Sequence, residues 1–150
     1  MLRIYAFLAG VVLGGAAMTC EMTLKAPLTV TTAQEGFAGV TGTIYKVQPD
    51  GQYEVADFVG EQEDPPRAQG QLSEEDMQRL AEVLDADLAT GTEEAPPINQ
   101  SFIVVDYGSQ SWTVSLAPGA AVEECDDESE AGCDVQGVAS ALRGMIENKN

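Results

Sequence analysis

Chemistry in this chain would have to come from carboxylates and thiols. The sequence carries 25 Asp and Glu against 7 Lys and Arg, with three cysteines and no histidine. Without histidine, the Ser-His and Cys-His nucleophile arrangements are excluded, as are the usual zinc and non-haem iron ligand sets. No serine or threonine has an evident general base nearby, so nucleophilic catalysis has no support. Paired acids can run glycoside hydrolysis, but they need a cleft and one carboxyl kept protonated. Asp57 and Asp106 interrupt the apolar alternation of their strands and are the acids that stand out. The plainer reading puts each near a strand end or on an edge, in water. No catalytic residue is assigned.

The run Asp126-Asp127-Glu128-Ser129-Glu130 has acids at alternate positions, which would attract Ca²⁺. It lacks the glycine at position six and the closing bidentate glutamate of an EF-hand, so a solvated acidic loop is the default. Asn99-Gln100-Ser101 matches a glycosylation sequon, relevant only in a eukaryotic host. The glycine-spaced stretch GFAGVTG at 36–42 has no GK[ST] and no suitably placed lysine, so it is not a phosphate cradle. No cofactor and no metal is expected.

The net charge of −18 narrows the partners. It repels phosphate backbones, which excludes nucleic acid. Anionic membrane surfaces are equally poor partners for a folded part of this charge. Apolar residues make up 44% of the chain, enough for a core rather than a disordered acidic tail.

Residues 1–20, MLRIYAFLAGVVLGGAAMTC, have the layout of a secretory signal peptide. Arg3 gives a positive start, Ile4 to Leu13 an apolar run, and Gly15-Ala16-Ala17 the small residues that a signal peptidase reads. An uncleaved transmembrane anchor is the alternative, but the run is short for spanning and glycine-rich at its end. Export, to the periplasm or the medium, is the expectation. Cys20 has two readings. It sits where a bacterial lipoprotein carries its acylated cysteine, which would tie the chain to a membrane through its N-terminus alone. Ala17-Met18-Thr19 departs from the usual lipobox, and the other reading is a spare thiol.

Cys125 and Cys133 form the obvious pair, which leaves Cys20 odd. In an oxidising compartment such a pair is usually bonded. The nine-residue loop would gain about 2.6 kcal/mol by chain entropy. The spacing is not CxxC, so a redox-active dithiol is not indicated.

The elements that must position any site follow from periodicity. Residues 21–26 read as a linker and 27–147 as one domain. From Pro27, alternation over Leu28, Val30 and Thr32 predicts a strand, followed by a turn or bulge at 36–42. Thr43–Val47 and Gln52–Val59 make a hairpin about Pro49-Asp50-Gly51. Residues 60–71 read as a polar loop in which Pro65-Pro66 forbids regular ladder bonding. Ser73 opens a helix with acids in its first turn and a stripe of Met77, Leu80, Ala81, Leu84 and Leu88, stopped at Gly91. A second loop at 89–99 is broken by Pro96-Pro97.

Phe102–Tyr107 and Ser111–Leu116 form a second hairpin, its first strand apolar on both faces and therefore central. Trp112 reads as a core anchor. A last helix runs from about Val135 to Glu147. The expected architecture is α+β: an antiparallel sheet from two hairpins, with two helices packed on one face.

Gly70-Gln71-Leu72-Ser73-Glu74-Glu75, then Leu80 and Leu84, then the hairpin Phe102–Leu116 and the helix Val138–Ile146, form an ordered set. It resembles the emfourin-like family of small bacterial domains that inhibit thermolysin-like metalloproteases. The resemblance covers roughly residues 27–147. The signal peptide and the acidic segment 123–134 depart from the family pattern, and no inhibitory residue is carried over. It implies an α+β fold and a protease as protein partner. Independently, the loops Pro65-Pro66-Arg67 and Pro96-Pro97 are proline-stiffened, which lowers the entropic cost of docking a partner. The expected function is a non-enzymatic protein-binding module of the cell envelope, with an accessory envelope lipoprotein as the alternative.

Overall fold

The computed structural model describes residues 24–37, 39–85, 100–116 and 130–148. Its clearest local signal is the turn at Pro49-Asp50-Gly51. Gly51 adopts φ +86°, Gly51 N donates to Gln48 O at 2.9 Å, and Gln52 N donates to Asp50 Oδ1 at 3.0 Å. This turn joins strand β2 (Gly39–Val47) to strand β3 (Gln52–Val59). Strand β1 (Leu28–Gly36) pairs with β2 from Leu28↔Val47 to Gly36↔Gly39. Two short strands, β4 (Gln62–Glu63) and β5 (Ala68–Gln71), both pair with the outer edge of β3. Helix α1 (Glu74–Asp85) follows, then strands β6 (Ser101–Tyr107) and β7 (Gln110–Leu116), then helix α2 (Glu130–Glu147).

Strand β6 pairs with the free side of β1, so the second hairpin extends the first sheet. The long strands run in the order β3-β2-β1-β6-β7, all antiparallel. Side chains alternate between two faces. Leu28, Val30, Tyr45, Val55, Ile103 and Val105 share one face and are buried. Met77, Leu80 and Leu84 of α1 and Val135, Val138, Leu142 and Ile146 of α2 complete the same core. The fold is α+β, with both helices on one face of the sheet. Trp112 is 5% exposed and sits in this core, as its place in an alternating strand implies. Interior placement of β6 explains why Ile103-Val104-Val105 is apolar throughout.

The start of α1 follows its residue types. Ser73 Oγ accepts from Asp76 N at 3.1 Å and donates to Asp76 Oδ2 at 2.6 Å. Ser73 and Asp76 thereby form a reciprocal cap, with Asp in the place of the usual Glu.

Four stretches differ from the sequence-based expectation. The expected turn at 36–42 is confined to the link between Gly36 and Gly39, and Gly42 lies inside β2. A Cβ at Gly42 would meet Ala33 Cα and Phe58 Cε1, each at 2.8 Å, and the Thr32 carbonyl oxygen closer still. Glycine is there because Phe58 folds across the strand, not because the chain turns. The expected loop at 60–71 contains β4 and β5, discussed below. Helix α2 begins at Glu130 rather than near Val135. Leu24, in the stretch read as a linker, is 3% exposed, and its N–H donates to Pro49 O at 3.1 Å. Leu88 and Gly91 lie outside the described residues.

Candidate functional site

The outer edge of β3 is where residue types and geometry depart most from a plain sheet. Gly60, at φ +62°, turns the chain back, and its N–H donates to Val40 O at 2.7 Å. Gln62 and Glu63 then pair with Val59 and Phe58. Asp64 N donates to Asp57 O at 2.8 Å, and Arg67 N donates to Val55 O at 2.8 Å, before β5 resumes pairing at Val55↔Ala68. Three steps along β3, from Phe58 to Val55, are matched by five from Glu63 to Ala68. The surplus is a two-residue bulge filled by Pro65 and Pro66. Proline has no N–H to offer a ladder, so it occupies the bulge at no cost in hydrogen bonds. The expectation that the two prolines forbid ladder bonding therefore holds only for themselves: pairing stops and restarts around them.

Side chains fix this bulge from both faces. On the helix-covered face, Thr43 Oγ1 donates to Asp57 Oδ1 at 2.7 Å, and Arg67 Nε lies 3.1 Å from Asp57 Oδ2. On the opposite face, Lys46 Nζ pairs with Glu63 Oε1 at 2.6 Å, and Gln69 Nε2 donates to Glu54 Oε1 at 3.1 Å. Tyr45, next to this cluster, is buried, and burial pushes its hydroxyl pKa above the ordinary 10.0. Arg143 opposes that shift and Glu147 adds to it. Arg143 Nε and Glu147 Oε1 are themselves paired at 2.9 Å.

Beyond the bulge, the same corner of the sheet presents apolar groups to solvent. Among the described residues, the large apolar side chains that stand exposed are Phe37 and Val59. Val59 ends β3, two residues or about 7 Å past Asp57. Phe37 sits at the tip of the β1–β2 turn, beyond the row in which Val59 faces Thr41 and Gln34. Pro65 and Pro66 are also exposed. Phe37 and Val59 thus lie at one end of the β1-β2-β3 meander, while the proline bulge stands on its flank opposite Asp57–Val55, two to four residues back along β3, with the exposed acids Glu61, Glu63 and Asp64 between. Composition alone does not single out Phe37; the available signal was its place in Phe37-Ala38, a pair bracketed by Gly36 and Gly39.

The other singled-out residues fall elsewhere. Asp57 is held by Thr43 and Arg67, whereas Asp106 is exposed and shares its face with Thr29 and Lys46. The two acids are on opposite sides of the sheet and cannot act as a pair. Arg67 is on the bulge but is engaged by Asp57. Pro96, Pro97, Cys20, Cys125 and residues 126–129 lie outside the described residues. Cys133 falls within α2. Among the described residues, no group of three or more His, Cys, Asp or Glu converges to hold a metal, and no helix is long and apolar enough to cross a membrane. No protein-family model and no curated protein matches the chain.

Proposed function

We propose that this chain is an exported, non-enzymatic protein-binding module that docks its partner at the corner made by Phe37, Val59 and the Pro65-Pro66 bulge. The observation that carries the reading is that two exposed apolar side chains mark one end of a meander whose flank bears a bulge held on both sides by ladder bonds and side-chain pairs. Interfaces gain most from rigid apolar anchors set in an ordered surround, because little entropy is lost on docking. The acidic rim favours a basic partner surface.

The emfourin-like order of elements supports a secreted metalloprotease as the partner class. Binding of the purified mature chain to a panel of secreted metalloproteases tests this. Complexes that weaken at least tenfold with Phe37→Ser, at unchanged thermal stability, support it. Absence of any complex at micromolar concentration removes the protease assignment.

The odd cysteine count favours one second reading, an accessory envelope lipoprotein anchored at Cys20. Metabolic labelling with a palmitate analogue decides it. Label that disappears in Cys20→Ser establishes the anchor, and an unlabelled wild-type protein eliminates it.

A further inference from the structure

The two edges of the sheet are finished differently. The β3 edge is capped by β4 and β5. What then faces outward is short, interrupted by Pro65 and Pro66, and charged through Glu61, Glu63 and Asp64. Those are devices by which native sheets prevent a further strand from adding. Strand β7 has none of them. Its residues Gln110–Leu116, QSWTVSL, contain no charge and no proline. Its register with β6 is unbroken from Tyr107↔Gln110 to Ser101↔Leu116, so no bulge turns the edge away. Among the described residues, no strand pairs with its outer side.

The phase of the ladder shows which groups face outward. Tyr107 and Gln110 flank the two-residue turn Gly108-Ser109, with Gly108 at φ +63°. Residues flanking such a turn oppose each other as a bonded pair, and bonded pairs then alternate along an antiparallel ladder. Val105–Trp112 and Ile103–Val114 are the next bonded pairs. Ser111, Thr113 and Ser115 therefore direct their backbone N–H and C=O groups away from β6. Ser111 and Ser115 are exposed and Thr113 is half-buried.

We infer that the β7 edge accepts an extended segment of a basic partner polypeptide by strand addition. The outward groups of Ser111, Thr113 and Ser115 supply the main-chain bonds from which such complexes draw affinity. The net charge of −18 draws a basic segment and repels a second copy of this chain, which would otherwise be the simplest strand to add. The site goes beyond the binding corner and uses different residues, since β3 and β7 lie on opposite sides of the sheet.

The test uses the purified chain and a nine-residue peptide alternating lysine with valine and threonine, beside a counterpart with glutamate for lysine. Amide exchange is read at Ser111, Thr113 and Ser115, and oligomeric state by sedimentation. The basic peptide is expected to slow exchange at those three amides at least tenfold, and the acidic peptide to leave it unchanged. Thr113→Pro removes one outward donor without removing a bond to β6, and should abolish the protection. Ser111→Lys with Ser115→Lys gives the same result by charge if the proline variant misfolds. Protection that survives either variant, equal protection by the acidic peptide, or no protection at millimolar peptide overturns the inference. So does a dimer protected at the same amides without peptide. None of these outcomes bears on Phe37, so the corner and the edge stand or fall separately.

Discussion

Arg67 Nε lies 3.1 Å from Asp57 Oδ2 and 3.2 Å from Asp57 Oδ1, so one guanidinium N–H spans both oxygens of a carboxylate on the neighbouring strand. Thr43 Oγ1 donates to the same Oδ1 from the next strand over. Asp57 therefore ties β2, β3 and the far side of the proline bulge together at one point. Both members of the ion pair are about half exposed, which limits its worth to stability and leaves positioning as its main effect.

Asp57→Ala should accordingly cost about 1 kcal/mol or less in denaturant unfolding, yet loosen the bulge locally. The expected readout is faster amide exchange at Asp64 and Arg67, whose N–H groups are bonded to β3. Unchanged exchange at both would mean that the ladder bonds alone hold the bulge.

Gly42 should be intolerant of any side chain. A Cβ there meets the backbone of Thr32 and Ala33 as well as the Phe58 ring, and backbone cannot step aside as a flexible side chain can. Gly42→Ala is expected to destabilise by about 3 kcal/mol, the upper end for overpacking, measured by urea unfolding. Combining it with Phe58→Ala should recover only the part due to the ring.

Ser73→Ala removes the acceptor for Asp76 N and the donor to Asp76 Oδ2. Loss of a helix cap costs about 1 kcal/mol. Ser73→Thr should retain most of the stability, because its hydroxyl can both accept that N–H and donate to the Asp76 carboxylate, and thermal unfolding of the two variants separates the cases.

Tyr45 supplies the pH dependence. Burial first, with Arg143 opposing and Glu147 adding, holds its pKa above 10.0 in the folded chain. The unfolded chain then loses this proton first as pH rises. The contribution is complete below pH 10 and is lost as pH climbs through the folded value. Denaturation measured between pH 9 and 12 should show a steeper decline for wild type than for Tyr45→Phe. Parallel curves would assign the alkaline loss to other groups.

Much of the fold was legible because local chemistry and burial agree. Pro49-Asp50-Gly51 needs a turn wherever it lies, Ser73 with Asp76 needs a helix start, and Trp112 in an alternating strand needs a core. The edge was misread for a physical reason. Two prolines do break a ladder, but β3 offers its outer groups on both sides of them, and the chain pairs, skips two residues and pairs again. Gly42 was read as a turn residue because close approach of Phe58 depends on strand register, which the local sequence does not express. The site was half legible. Pro65, Pro66 and Arg67 stood out by composition, whereas Phe37 and Val59 join them only once β1 and β3 are placed on either side of β2.

The most direct measurement is the titration of a thermolysin-like metalloprotease with the purified mature chain and with its Phe37→Ser variant. Saturable, stoichiometric loss of proteolysis is expected with wild type. Inhibition by Phe37→Ser is expected to be at least tenfold weaker at an unchanged melting temperature. Full protease activity at a large molar excess of the wild-type chain, or equal inhibition by both chains, would contradict the proposal.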